Sequence, residues 1–512
     1  MKKLLLLLVV FSFLFVLTAC KTDDETTQID ETTTTEPEET TEPEETTEPD
    51  TDATVVTFAH WGIGTEEDNN IWRRRVALFN ETHDDIQIEI VDDFVGGLAW
   101  EEWLVTKAAS EEFPDIITIN NVPDYVIKDY IGDISDIVKD DDEWNDIPEY
   151  LREAITYGDK VYAVPLSQNY QGYFANTRMI DMAGGNSEHY TNFNFTTEEF
   201  FDDIKAMKDV NTTDGDGTIG ILNANDFFNW LPSAYDEEGK IQHFAWDGEK
   251  IDFLGDPLVN ALNDAAELYA GGYTFNAYSD QVESEEDISE REEIFGNNWD
   301  GAVFRAGQMG FLYDATWSVS ALASDIDDLF DFEFVGTPGG KVIGITDYFG
   351  ITKSAEDKAA AYEVAKYLSF GKQGILDAFE MIEEVKQNED INLSLAGLPI
   401  NEDEDVIEVW FDSFPIESVQ DMYEKAAAGE VEVLLEPNKI VPGYLMARFN
   451  YDTGIDSLRP DVDPGTTYKI GDLIWDAAMG AHGIKYTDIM TPVLADAINL
   501  EIVKAQLEIE KK

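Results

Sequence analysis

The stretch Tyr157–Asp181 reads YGDKVYAVPLSQNYQGYFANTRMID. Lys160–Ser167 (KVYAVPLS) is an apolar, β-branched run, and Gln171–Arg178 (QGYFANTR) is a second, aromatic one. Both predict strands. Working back towards the amino end, the pattern alternates. DYVIKDYIGDISDIV (Asp124–Val138) is helical and DIITIN (Asp115–Asn120) is a strand. WEEWLVTKAASEEF (Trp100–Phe113) is a helix and IQIEIV (Ile86–Val91) an alternating strand. NIWRRRVALFNETH (Asn70–His83) has helical spacing, and ATVVTFAHWG (Ala53–Gly62) is a strand running into a glycine loop. Strand and helix in turn imply an α/β layer architecture.

Working forward, Thr196 and Glu199 predict a capping box for a helix over Thr197–Val210. PLVNALNDAAELYAGG is a helix stopped by Gly271 and Gly272. GQMGFLYDATWSVSAL is a strand, a turn and a helix, and FEFVGTPGG a short strand. DYFGITKSAEDKAAAYEVAKYLSFG is a strand followed by a helix capped by Ser354 and stopped by Gly371. The carboxyl-terminal third is helical, and the body shows no internal repeat.

The amino end is different. Lys2 and Lys3 precede an uncharged apolar run, Leu4–Leu17, shorter than the ~20 residues a membrane span needs. This is the pattern of a secretory signal. Leu17-Thr18-Ala19-Cys20 resembles the lipobox of bacterial lipoproteins. The resemblance implies cleavage after residue 19 and lipid on Cys20, the only cysteine in the chain. The alternative is an ordinary signal with a chance cysteine. Residues 21–53 include TTEPEETTEPEETTEPD, which has no apolar side chain to bury and no means of offsetting the entropy of ordering. Extended, this tether would reach on the order of 100 Å; a sugar-decorated stalk is the other reading of its Thr and Pro content. Thr54–Lys512 is too long for one simple core, which predicts two lobes.

The chain has 107 acidic and 33 basic residues, a formal net charge of −74. Such a surface opposes nucleic acid and anionic lipid. Self-repulsion would strain the compact state unless salt screens it, which suggests a saline habitat; an acidic proteome is the bland alternative. The five histidines (60, 83, 189, 243 and 482) form no zinc pattern, and neither a Gly-x-Ser-x-Gly elbow nor a phosphate loop is present. TTDGDGTIG, with Asp214 and Asp216, suggests a calcium loop but fails at its first and twelfth positions, Thr212 and Asn223. A plain Asp/Gly turn is the simpler reading, and neither a cofactor nor a metal is expected.

Taken in order, VVTFAHWG, FPDIITIN, YGDKVYAVPLSQNYQGYFANTRMID, TTEEFFDDIKAMKD, FRAGQMGFLYDATWSVSAL and GTPGGKVIGITDYFGITKSAEDKAAAYEVAKYLS resemble the extracellular solute-binding proteins of bacterial ABC importers. The likeness is to the group that includes the maltose- and oligosaccharide-binding proteins (family 1). It runs across most of the body. Ala175 and Thr177 depart from it, standing where the family usually has Tyr and Lys, and the loop Gln281–Asn298 has no counterpart.

The resemblance implies a two-lobe periplasmic-binding-protein fold of type II, with discontinuous lobes joined by hinge strands and a ligand cleft between them. Residues 54–166 with 338–370 would form lobe 1, and 167–337 with 371–512 lobe 2. The chain would cross near Pro165–Tyr173 and again near Phe332–Pro338. It further implies a carbohydrate ligand, permease subunits as partners, and a monomer facing outward. The lipid would be its sole membrane anchor.

A sugar site needs flat aromatic faces and planar hydrogen-bonding side chains. Trp61 follows the first strand, where ligands of open α/β sheets gather. Trp317 stands where the family has a stacking Trp, with Asp314 before it. Asn121 and Asp124 follow the DIITI strand; turn chemistry is their other explanation. Asn169, flanked by Gln168 and Tyr170, falls where relatives carry a ligand-binding acid, and a hinge packing contact is its alternative. Asp347 and Tyr348 precede the FGIT strand. Trp230 (DFFNWLP) and Trp299 (GNNWDG) are loop candidates, and Tyr444 and Arg448 weaker ones. Trp72, Trp103, Trp144 and Trp475 are expected to pack. Three rivals stay open at this point: a polyamine or other cation in the same fold, a surface glycosidase using two carboxylates ~5–10 Å apart, and an adhesin.

Overall fold

A computed structural model describes residues 53–512 except 69, 95–98, 209–216, 279–293, 297–299, 328, 390, 392 and 460–461. Cys20, the tether, Asp214, Asp216, Trp299 and most of the 281–298 loop lie outside the described residues.

The strands are β1 (Thr54–Ala59), β2 (Ile86–Ile90), β3 (Ile116–Ile119), β4 (Thr156–Tyr157), β5 (Lys160–Val161), β6 (Val164–Asn176) and β7 (Ile219–Ile221). They continue with β8 (Met309–Ala315), β9 (Phe332–Gly336), β10 (Lys341–Ile351), β11 (Glu432–Leu435), β12 (Asp452–Asp456) and β13 (Thr467–Lys469). Among the described residues nine of these form one mixed sheet in the order β2-β1-β3-β10-β6-β8-β7, with β11 on β10 and β9 on β6.

Two long strands tie the sheet together. The first half of β6 pairs antiparallel with β10, Val164 to Phe349 and Asn169 to Ile345. Its second half pairs with β8 and β9. Pro165 has no N–H to give the ladder, and the register shifts there: Tyr348 faces Pro165, Asp347 faces Ser167, and Leu166 is the extra residue of a bulge.

The apolar clusters divide at this bulge. One holds Phe58, Ile117, Val164, Leu166, Tyr348, Phe349 and the helix Lys358–Tyr367. Past it, alternate side chains of β6 enter different clusters, Tyr173 and Ala175 on one face, Tyr170 and Phe174 on the other. A sheet covered on both faces explains why these strands read as continuous apolar runs. Likewise β10 gives Ile343 and Ile345 to one side of the bulge and Tyr348 and Phe349 to the other. Along β10 the change of cluster thus falls between Ile345 and Tyr348, at the register shift. At Gly172 a Cβ would lie 2.6 Å from the Cα of Gly336, so only glycine lets β6 and β9 approach.

Local signals mostly hold. Thr196 and Glu199 form the capping box. The helix Asp256–Ala270 stops at Gly271, with Gly272 at φ +66°. Ser354 is not a cap: Asp357 caps Lys358–Tyr367 through the amides of Ala359 and Ala360. Gly371 serves two helices: its amide donates to the Lys366 carbonyl at 2.8 Å at the end of Lys358–Tyr367, and it is the N-cap of the next, Lys372–Asn388. Among the described residues no helix is long and apolar enough to cross a membrane.

Candidate functional site

A cavity of about 640 Å³ opens on the later half of the sheet. Gln171 of β6 and Ile345 of β10 meet it, and Trp317 enters from the turn Thr316–Ser318 that ends β8. Ligands of α/β sheets gather at such strand ends. Asp226, Phe228 and Asn229 come from the start of the helix Phe227–Tyr235. Glu436, Asn438 and Lys439 follow β11, while Asp472 and Trp475 lie on the helix Ile470–Ala478.

Arg448, Phe449 and Asn450 project together from a π-helical turn, Met446–Asn450, in which the Tyr451 amide reaches back five residues to the Met446 carbonyl at 2.8 Å. Such widened turns often mark functional sites. The Arg448 guanidinium carbon lies 3.4 Å from the centre of the Phe244 ring and 4.5 Å from that of Phe449. Phe244 and Ala245 sit at φ +48° and +60°, a left-handed stretch unusual for non-glycine residues.

The lining mixes aromatic faces with polar atoms that lack partners. Trp317 is 42 % exposed. His243 Nδ1, Glu436 Oε2, Asn438 Oδ1 and Arg448 Nε are buried with no hydrogen bond. Burial, helped by the Arg448 charge, lowers His243 to about 3, so it is neutral. Burial also lowers Arg448 to about 10, which leaves it charged, and raises Glu436 above the usual carboxylate range against the pull of Lys439. Among the described residues no His, Cys, Asp and Glu side chains group as a metal site.

The sequence candidates separate. Trp317 lines the cavity, and Asp314 holds it by accepting from its indole nitrogen at 2.8 Å. Asp347 pairs with Lys439 at 2.5 Å. Asn121 is buried: it caps the helix Val122–Ile127 and donates to the Asn438 carbonyl at 2.6 Å. Asp124 sits in the first turn of that helix, 3.8 Å from Lys128. Asn169 is buried and accepts from the Thr316 hydroxyl at 3.1 Å, behind the Trp317 turn. Trp61, half-buried, stands edge-on to Trp100.

Other candidates pack instead. Tyr170 and Tyr348 are core residues, 3 % and 2 % exposed. Trp230 is not in a loop: it belongs to the helix Phe227–Tyr235, is fully buried, and donates to the Tyr173 hydroxyl at 3.0 Å. Helical phase turns the neighbouring Phe228 and Asn229 to the cavity instead. Tyr444 is buried as well. Trp103 and Trp144 pack as expected, and Trp72 stacks on His60, but Trp475 meets the cavity. Glu436, Asn438 and Phe449 gave no sequence signal, because the residues that complete the site come from distant segments.

A family model for bacterial extracellular solute-binding proteins matches residues 74–396. Solved structures share the fold. An ABC substrate-binding protein from Listeria monocytogenes, in complex with cycloalternan, superposes with a TM-score of 0.56 at 14 % identity, covering 90 % of this chain and 99 % of that one. The sugar-binding protein MalE from Xanthomonas citri gives 0.58 at 14 %, covering 90 % and 100 %. The galacto-N-biose/lacto-N-biose I-binding protein of Bifidobacterium longum gives 0.53 at 16 %, covering 89 % and 98 %. These are two-lobe solute-binding folds, and the sheet described above has their architecture. No curated protein matches the chain.

Proposed function

This chain belongs to the bacterial extracellular solute-binding protein family, and from that premise we propose that it captures a carbohydrate between two lobes for an ABC importer. The observation that carries the reading is Trp317. An exposed indole, held by Asp314, stands over a cavity whose buried acceptors and donors lack partners. An aromatic face for C–H patches and planar polar groups for hydroxyls are what a sugar requires. Solved relatives bound to cycloalternan and to lacto-N-biose support the same ligand class.

In this reading residues 54–166 with 348–370 form one lobe and 167–347 with 371–512 the other, the return-strand boundary lying at the Asp347/Tyr348 register shift rather than at 337/338. Closure about β6 and β10 brings the first lobe over the cavity and presents a new face to the permease. The lipid on Cys20 and the acidic tether hold the monomer outside the membrane. The family is one of binding components, so the ligand leaves unaltered. The cation reading has little support in the lining, where Asp226, Glu436 and Asp472 are matched by Lys439, Arg448 and Lys469.

Calorimetry against neutral and acidic oligosaccharides, polyamines and divalent cations, with chromatography of the recovered ligand, tests this. Saccharide binding with unchanged recovery is expected. Binding of polyamines alone, or release of shortened sugars, would overturn it.

A further inference from the structure

We propose that the occupant of this cavity is an acidic saccharide, whose carboxylate or sulfate group seats on Arg448 while its hydroxyls donate to Glu436 and Asn438. The inference rests on the carbohydrate reading and narrows it.

Arg448 stands apart from the other described arginines. Arg73, Arg74, Arg305 and Arg459 pair with carboxylates. Arg75, Arg152 and Arg178 donate to backbone carbonyls. Arg448 is 6 % exposed, has no acceptor among the described residues, and lies against the faces of Phe244 and Phe449. The chain is rich in acids, yet none of its described carboxylates pairs with this guanidinium. Burying a cation without a partner is costly, and the cost is removed when a ligand brings the anion. The planar fork of arginine suits a carboxylate or sulfate held through two oxygens.

The other unpartnered atoms call for a different group. Glu436 Oε2 and Asn438 Oδ1 are acceptors without donors. An anion cannot satisfy them, but sugar hydroxyls can. One molecule that offers hydroxyl donors and one anionic acceptor is a sugar acid or a sugar sulfate. A polyamine would answer Glu436 and be repelled by Arg448. A neutral sugar would answer Glu436 and Asn438 and leave Arg448 with at most a neutral acceptor. The distant carboxylates act weakly by comparison, since salt screens them within ~8–10 Å. Arg448 also lies beyond residues 74–396, so the family likeness does not account for it.

The test is calorimetry on the purified protein with trimers of galacturonate, mannuronate, guluronate and sulfated galactose, each beside its neutral counterpart, carboxyl-reduced or desulfated. At least one acidic trimer should bind about tenfold or more tightly than its neutral counterpart. Arg448→Met should bring the two within about twofold, and Arg448→Lys should keep part of the preference. A preference confined to the uronates assigns the carboxylate, and one confined to the sulfated trimer the sulfate. Should Arg448→Met not fold, the paired ligands on the unaltered protein decide alone. Neutral trimers binding as tightly as acidic ones, or a preference that survives in folded Arg448→Met, would overturn the proposal and leave carbohydrate capture standing. Binding of no saccharide of either kind would overturn both.

Discussion

The indole nitrogen of Trp317 donates to Asp314 Oδ1 at 2.8 Å, an oxygen that also accepts from the Ala315 amide at 2.8 Å. The ring is thereby fixed while one of its faces stays open. An aromatic face held in place loses little freedom when a ligand stacks on it. Trp317→Ala should weaken saccharide binding by about 3–10-fold or more, and Asp314→Ala by a smaller factor, with melting temperatures close to the parent because the site is exposed. Calorimetry beside a thermal scan measures both. Equal affinity in Trp317→Ala would remove the indole from the site.

Asp476 is wholly buried and receives two hydrogen bonds from Arg459, at 2.9 and 3.0 Å. Removing one partner of such a pair strands the other. Arg459→Ala should cost about 3–5 kcal/mol of unfolding free energy, and Asp476→Asn less, since it keeps a hydrogen-bonding group of the same shape. Urea unfolding gives the values. The loss should also reach binding, because the same helix carries Trp475 and Asp472 into the cavity.

Burial holds His60 and His243 at about 3, with the charges of Arg75 and Arg448 adding to it. The unfolded chain titrates these rings near 6.5, so between that pH and about 3 it binds protons that the folded form refuses. Stability should therefore fall as pH drops through this window, by up to ~1.4 kcal/mol per unit for each ring. Glu436 acts oppositely, since its raised folded value makes the folded form the better proton binder above the ordinary carboxylate range. Denaturation at pH 6.5, 5.5 and 5.0 should show a slope that His60→Gln reduces. A flat profile would contradict the buried neutral rings.

A formal charge of −74 predicts that added NaCl raises the melting temperature, through screening of repulsion among exposed carboxylates. A scan from low to molar salt that shows no rise would mean that the charges are too dispersed to strain the fold.

Much of the fold was legible because it depends on local signals. The capping box at Thr196, the glycine stop after Ala270 and the strand-turn-helix around Trp317 all follow from residue type and spacing. The site was legible only where it lies on such an element. Trp317 follows a strand and lines the cavity, whereas a loop reading of DFFNWLP has no phase to show that Phe228, and not Trp230, faces it. Arg448 ranked low because a π turn depends on packing, and nothing in YLMAR announces one. Asp347 meets Lys439 across 92 residues, a pairing that only the finished sheet creates.

The turn Glu436–Lys439 joins two neighbourhoods. Asn438 receives Asn121 from the end of β3, Lys439 grips Asp347 beside the bulge, and Glu436 and Asn438, which line the cavity, each keep a buried oxygen without a partner. Whatever settles there leans on a bracket already fastened to Asn121 and Asp347. A contact made at this turn would thus share one piece of backbone with the β6–β10 register shift, and its news would have only a few bonds to travel.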